Sequence, residues 1–158
     1  MAYVAMTTRS AGYVVPASEW NQLIANDTYL KTQADSRQMI IKVIGDLDTL
    51  ITGDGQITIT IPALLNGYNL VEVAAAVYTV SSSGTPTVQV RNVTDSQDML
   101  TTRITIDTNE YSSYTAAVAA VINTSYDDVA TNDRIAIDVD VAGTGTKGLE
   151  IHLKFQPA

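Results

Sequence analysis

The strongest constraint on this chain is a strict alternation of β-branched and polar residues, repeated in separate segments. Gln56-Ile57-Thr58-Ile59-Thr60-Ile61 and Arg134-Ile135-Ala136-Ile137-Asp138-Val139-Asp140-Val141 place an apolar side chain at every second position. A period of two sends successive side chains to opposite faces, so each segment reads as a strand with one buried face. Thr87-Val88-Gln89-Val90-Arg91, Thr102–Asp107 and Gly148–Phe155 repeat the pattern, and Leu70–Val80 reads as a longer strand with small residues. With weaker candidates near 98–100 and 117–122, the pattern predicts about eight strands.

The punctuation between these segments is turn chemistry: Gly53-Asp54-Gly55, Asn66-Gly67, Ser82-Ser83-Gly84-Thr85-Pro86, Asn132-Asp133 and Gly143-Thr144-Gly145. No 10–15-residue helical pattern separates the strands, which argues against a parallel α/β sheet. The expected fold is mainly β: an antiparallel β-sandwich over residues 45–158, jelly-roll-like in preference to Ig-like. Composition agrees, with 21 Thr, 16 Val and 14 Ile against one Phe and one Trp. No repeat at a fixed period of 20–50 residues points to a solenoid or propeller.

Residues 1–44 read differently. The first part reads as a loop or extended arm, and Tyr13-Val14-Val15-Pro16 as a short extended piece, because the residue before a proline is pushed out of the α region. Pro16-Ala17-Ser18-Glu19-Trp20 then opens a helix over about 18–36, with Glu19 complementing the dipole. Trp20, Leu23, Ile24, Asp27, Leu30 and Ala34 follow at helical spacing and form one apolar stripe on an otherwise polar, amphipathic helix. In heptad terms Trp20, Asp27 and Ala34 take a positions, while Leu23, Leu30 and Arg37 take d positions. That stripe serves either packing on the chain's own β domain or association with copies of itself or a larger assembly. Met39–Ile44 is almost wholly apolar and fits either a helix extension or a first strand.

Charge divides at the same place. Residues 1–44 carry four Lys/Arg against three Asp/Glu, net +1, while residues 45–158 carry five against fourteen, net −9. A chain of net charge −8 lacks the cationic surface that binds phosphate backbones, so no nucleic-acid partner is expected. No run of 18 apolar residues is present, so no membrane partner is expected either. The N-terminus carries neither a basic region nor a long apolar core, so no secretory leader is expected.

Catalytic and metal chemistry finds little material. There is no Cys, and His152 is the single His, which removes thiolate sites and most imidazole-based mechanisms. His152 alternates with Ile151 and Leu153, and reads as a surface or satisfied sheet residue. Asp138 and Asp140 share a face and are the best carboxylate pair for glycosidase-type chemistry. A sandwich strand normally turns such a face to solvent. Asp95, Asp98, Asp127 and Asp128 sit in turns, where Asp serves local backbone bonds. No EF-hand-type D-x-[DN]-x-[DN]-G run is present. Gly143–Gly148 lacks phosphate-loop spacing and reads as a hairpin turn. Asn26, Asn92 and Asn123 open N-x-[ST] triplets that read as chance matches in a Thr-rich chain. No catalytic residue, cofactor or metal is therefore expected. Tyr111 and Tyr114 in Glu110-Tyr111-Ser112-Ser113-Tyr114 present flat apolar faces with polar tips, suited to stacking on a glycan or to ordinary packing.

The segment Gly12-Tyr13-Val14-Val15-Pro16-Ala17-Ser18-Glu19-Trp20-Asn21 resembles the opening of many small structural proteins of tailed bacteriophages, in which a short extended piece leads into a Trp-Asn helix start. Asn69–Tyr78, Val88–Thr94, Asp98-Met99-Leu100 and Lys147–Gln156 resemble β-sandwich domains of such proteins, so the resemblance covers most of the chain. It implies a non-enzymatic virion protein, either a capsid decoration protein or a head or tail fibre, often a homotrimer. The implied partners are copies of itself, other capsid or tail proteins, and a host-surface glycan. In that setting Tyr13, Val14, Trp20, Leu23, Ile24 and Leu30 are the expected anchor and oligomer interface, with the sandwich projecting outward. A carbohydrate- or receptor-binding module is the alternative.

Overall fold

The computed structural model describes Val4 and residues 11–158; the expectations for the rest of the arm lie outside the described residues. One helix precedes a β-sandwich. Helix α1 spans Ala17–Ala34. Its start needs no side-chain cap: the Pro16 carbonyl accepts the Glu19 and Trp20 N–H groups at 3.0 and 3.2 Å. It stops at Asp35, whose N–H returns to the Lys31 carbonyl at 2.9 Å.

Eleven strands follow in the described residues: β1 (Arg37–Thr49), β2 (Gly53–Thr60), β3 (Tyr68–Ala76), β4 (Thr87–Asn92), β5 (Gln97–Asp98), β6 (Leu100–Thr102), β7 (Ile104–Thr105), β8 (Val121–Ile122), β9 (Asp128–Val129), β10 (Arg134–Val141) and β11 (Lys147–Pro157). The apolar run Met39–Ile44 is strand, not helix. Ile40, Ile41, Val43 and Ile44 are β-branched, and β11 offers them an antiparallel partner from Arg37↔Phe155 to Thr49↔Lys147. Strand β1 thus continues across position 44, where the sequence changes from arm and helix to alternating strands, with a register shift against β11 on either side of Ile44.

The sheets are ordered β1-β11-β3-β9 and β2-β10-β4-β5, with β7 also on β4 and a separate β6-β8 pair. The pairing is nested: β1 with β11, β2 with β10, β3 with β9, β4 with β5. A long antiparallel ribbon rolled up in this way deals successive strands alternately to two facing sheets, which is the jelly-roll arrangement and not the Ig-like one. Between the sheets lie Leu149, Ile151, Leu153 and Phe155 from β11 against Ile135, Ile137 and Val139 from β10 and Val88 and Val90 from β4, all buried.

Three strand expectations change, the first being the one near 117–122, which is strand only over Val121–Ile122. The strand expected over 70–80 ends at Ala76, and beyond it only an isolated bridge, Thr79↔Lys147, continues the pairing. The strand expected over 102–107 is broken at Arg103 into β6 and β7. Leu100 has left the β4 ladder there, and Gln89 fills the gap by donating its Nε2 hydrogen to the Leu100 carbonyl at 3.1 Å.

Candidate functional site

Helix α1 stands largely clear of the sandwich. Trp20, Leu23, Ile24 and Leu30 remain 53%, 46%, 62% and 53% exposed, so the apolar stripe does not pack on the chain's own β domain. At about 100° per residue the stripe from Trp20 to Ala34 occupies an arc of about 120°. The face that does meet the sandwich is roughly opposite: Thr28, Tyr29, Thr32 and Gln33 enclose a space of about 230 Å³ with Gln156 of β11. Gln156 Nε2 also donates to Ser36 Oγ at 3.0 Å, tying the helix exit to the sheet. Trp20, Leu23, Ile24 and Asp27 line an open apolar concavity of about 440 Å³.

Asn26 is the only buried residue of α1, and sequence reasoning gave it no role beyond a chance sequon. Its Oδ1 accepts the Val4 N–H at 3.0 Å and its Nδ2 donates to the Val4 carbonyl at 2.7 Å, so the amide pairs with the arm as a strand residue would. Gln22 Nε2 supports Asn26 Oδ1 at 3.0 Å. A polar residue in the middle of an amphipathic helix, flanking the stripe, was the available signal. Of the other expected anchor residues, Val14 is exposed, and the half-exposed Tyr13 donates its hydroxyl to Glu19 Oε1 at 2.9 Å.

The second constellation lies on the outer face of the β1-β11-β3 sheet. Register places Lys42, Glu150 and Ala76 in one row and Ile40, His152 and Ala74 in the next. A chain of polar contacts crosses these rows. Tyr114 Oη lies 3.3 Å from His152 Nδ1, and His152 Nε2 lies 3.3 Å from Glu150 Oε1. Lys42 Nζ then donates to Glu150 Oε2 at 3.1 Å and to Asp46 Oδ1 at 2.7 Å. A carboxylate only accepts, so His152 Nε2 is the donor and, in the neutral ring, Nδ1 accepts from the Tyr114 hydroxyl. The hydrogen bonds from Lys42 and then His152 hold the Glu150 carboxyl below its ordinary value of 4.5. The bonds to Asp46 and Glu150 in turn raise Lys42 above 10.5.

Tyr111 and Tyr114 reach this region because residues 111–113 line the free edge of β3. The Tyr111 carbonyl accepts the Val77 N–H at 2.8 Å, Ser113 Oγ accepts the Ala75 N–H at 2.9 Å, and Ser112 bridges Ala76. Both tyrosine rings are exposed, and Tyr114 is the one that tilts against His152, at 6.3 Å between ring centroids. Tyr78, which the sequence pattern had absorbed into a strand, is a third exposed tyrosine at the same end.

The other candidates are structural. Asp138 does not face solvent: Arg91 Nε reaches its Oδ2 at 2.8 Å and the Gly55 N–H its Oδ1 at 2.5 Å, and the carboxylate is buried beneath them. The same pairing raises the Arg91 pKa. Asp140 pairs instead with Arg103. The two carboxylates therefore belong to separate ion pairs and share no cleft. Asp95 and Asp133 both accept from the Asn92 side-chain amide, at 2.8 and 3.2 Å, holding a turn. Gly143–Gly145 is the turn between β10 and β11, bonded to the Ser81–Gly84 turn by Thr144 N–H to Ser83 O at 2.8 Å. Among the described residues no three His, Asp or Glu side chains gather to hold a metal ion, and no helix is long and apolar enough to cross a membrane. No protein-family model, no curated protein and no solved structure matches this chain.

Proposed function

We propose that this chain is a non-enzymatic structural protein of a tailed-bacteriophage virion, a capsid decoration or fibre subunit. Its arm and α1 anchor it while the acidic jelly roll projects outward. The observation that carries the reading is the stripe of Trp20, Leu23, Ile24 and Leu30, left exposed on the side of α1 turned away from its own sandwich. Exposed apolar patches with polar rims mark association surfaces. The a/d spacing calls for helical partners, and α1 is the only helix longer than one 3₁₀ turn among the described residues, so the occupant is the same helix from further copies. Two apolar d positions, Leu23 and Leu30, flank the polar Asp27, which limits autonomous strength and favours association backed by an assembled particle.

Light scattering of the full chain after size exclusion tests this. The expected mass is three times 16.9 kDa. A monomer at every concentration, with the same profile after Leu23→Asp, would remove self-association through α1 from the proposal.

A further inference from the structure

The outer sheet face carries a concavity that anchoring does not use. It measures about 180 Å³ and is lined by Lys42, Asp46, Ala76, Val77, Tyr78 and Glu150. Its shape follows from missing side chains. Where Tyr78 and Asp46 flank β11, the strand carries Gly148, and one row further the floor is Ala76. Gly148 sits at φ +65°, and a Cβ there would come within 2.9 Å of Tyr78 Cβ and 3.1 Å of Asp46 Cα. Tyr78 lines it beyond the end of β3, Lys42 and Asp46 line it from β1, and Glu150 lines it from the central β11.

We infer that this concavity binds the terminal residue of a neutral saccharide, with Tyr114 positioning its Glu150 wall through His152. The walls combine what a sugar ring needs. An exposed tyrosine face takes the apolar C–H face of the ring, and its polar edge stays wet. Lys42 has three N–H donors and uses two, leaving one for a hydroxyl oxygen. Glu150 and Asp46, both hydrogen-bonded to the same ammonium, retain lone pairs that accept hydroxyl hydrogens from a vicinal pair. The Tyr114–His152–Glu150–Lys42–Asp46 chain fixes these groups before a ligand arrives, which lowers the ordering cost of binding. The volume lies below the ~300–1,000 Å³ of drug-sized pockets, so it accommodates one ring and not an oligosaccharide. Two carboxylates against one ammonium, on a chain of net charge −8, select against sialylated or sulfated sugars.

The full chain is titrated with methyl glycosides of neutral hexoses and N-acetylhexosamines, followed by saturation-transfer NMR, and probed on an array that includes sialylated glycans. Transfer from a neutral sugar at millimolar concentration is expected. Tyr78→Ala and Glu150→Gln each weaken it about tenfold, Tyr114→Ala weakens it to a lesser degree, and Tyr126→Ala, at a separate exposed tyrosine, leaves it unchanged. Because Tyr78 and Tyr114 are exposed, their removal leaves the thermal melt in place. No transfer from any neutral sugar, transfer indifferent to Tyr78→Ala, or a preference for sialylated glycans overturns the inference. Each of these outcomes is independent of the oligomer mass that tests the anchoring role.

Discussion

Trp20→Ala distinguishes a seam residue from a core residue. Trp20 keeps 53% of its surface exposed in the isolated chain. A large aromatic side chain offers about 250 Å², so about 130 Å² remains for a partner to cover. At about 25 cal/mol per Å² this is about 3 kcal/mol per chain. In the proposed trimer three chains lose about 9 kcal/mol together, about six powers of ten in the association constant. That constant carries concentration squared, so the midpoint concentration rises by up to about three powers of ten. Alanine recovers part of the area and the ordering cost of the indole disappears, leaving at least about a hundredfold. Sedimentation equilibrium across a concentration series reads the midpoint, and the melting temperature of the dilute monomer serves as control. A variant that assembles at the same concentration as the parent refutes the seam. So does a monomer melt that falls by several degrees, because Trp20 would then be supporting its own domain.

Phe155 is fully buried at the centre of the sandwich, so Phe155→Ala should cost about 3–5 kcal/mol in urea unfolding, and a cost under 1 kcal/mol would contradict the core assignment. Asp138→Ala strands the Arg91 guanidinium and the Gly55 N–H and should cost about 2–3 kcal/mol, whereas Asp140→Ala breaks an exposed pair worth under about 1 kcal/mol; equal losses would show that Asp138 is not buried as described. Glu150 has a folded pKa below its ordinary 4.5, so its contribution is present above pH 4.5 and is lost as pH falls through the folded value. The unfolding-midpoint difference between the parent and Glu150→Gln should therefore be flat from neutrality down to about pH 4.5 and shrink below it; a difference that grows on acidification has the wrong sign. Lys42, raised above 10.5, gives the mirror-image loss at high pH.

What could be read from the sequence depended on how local its cause was. Ile135, Ile137 and Val139 declared their inward face because alternation is a property of neighbours, and all three are buried. Asp138 shares that strand, yet its burial depends on Gly55 and Arg91, 83 and 47 positions away, which no local pattern encodes. Met39–Ile44 was ambiguous because a continuous apolar run fits two periods, and only its pairing with β11 decides between them. The α1 stripe was legible as a stripe; its exposure was not, since periodicity shows that a face is apolar without showing what covers it. Tyr114 was visible as a loop aromatic. Its partner His152 and the nearby Tyr78 were not, because the outer face they share is built from three strands that meet only in the sheet.

The nested ribbon also sets when this domain can exist at all. Strand β11 lies between β1 and β3 and is made after both; Lys42 waits 108 positions for Glu150. During synthesis the first sheet therefore has a vacant centre, and closing loops of that length is slow. A chain terminated before Lys147 does not yield a slightly smaller domain. It leaves two strands with open edges, suited to aggregation or proteolysis. Folding thus acts as a completeness check over residues 37–157, because the first sheet closes only once its last-made strand is in place.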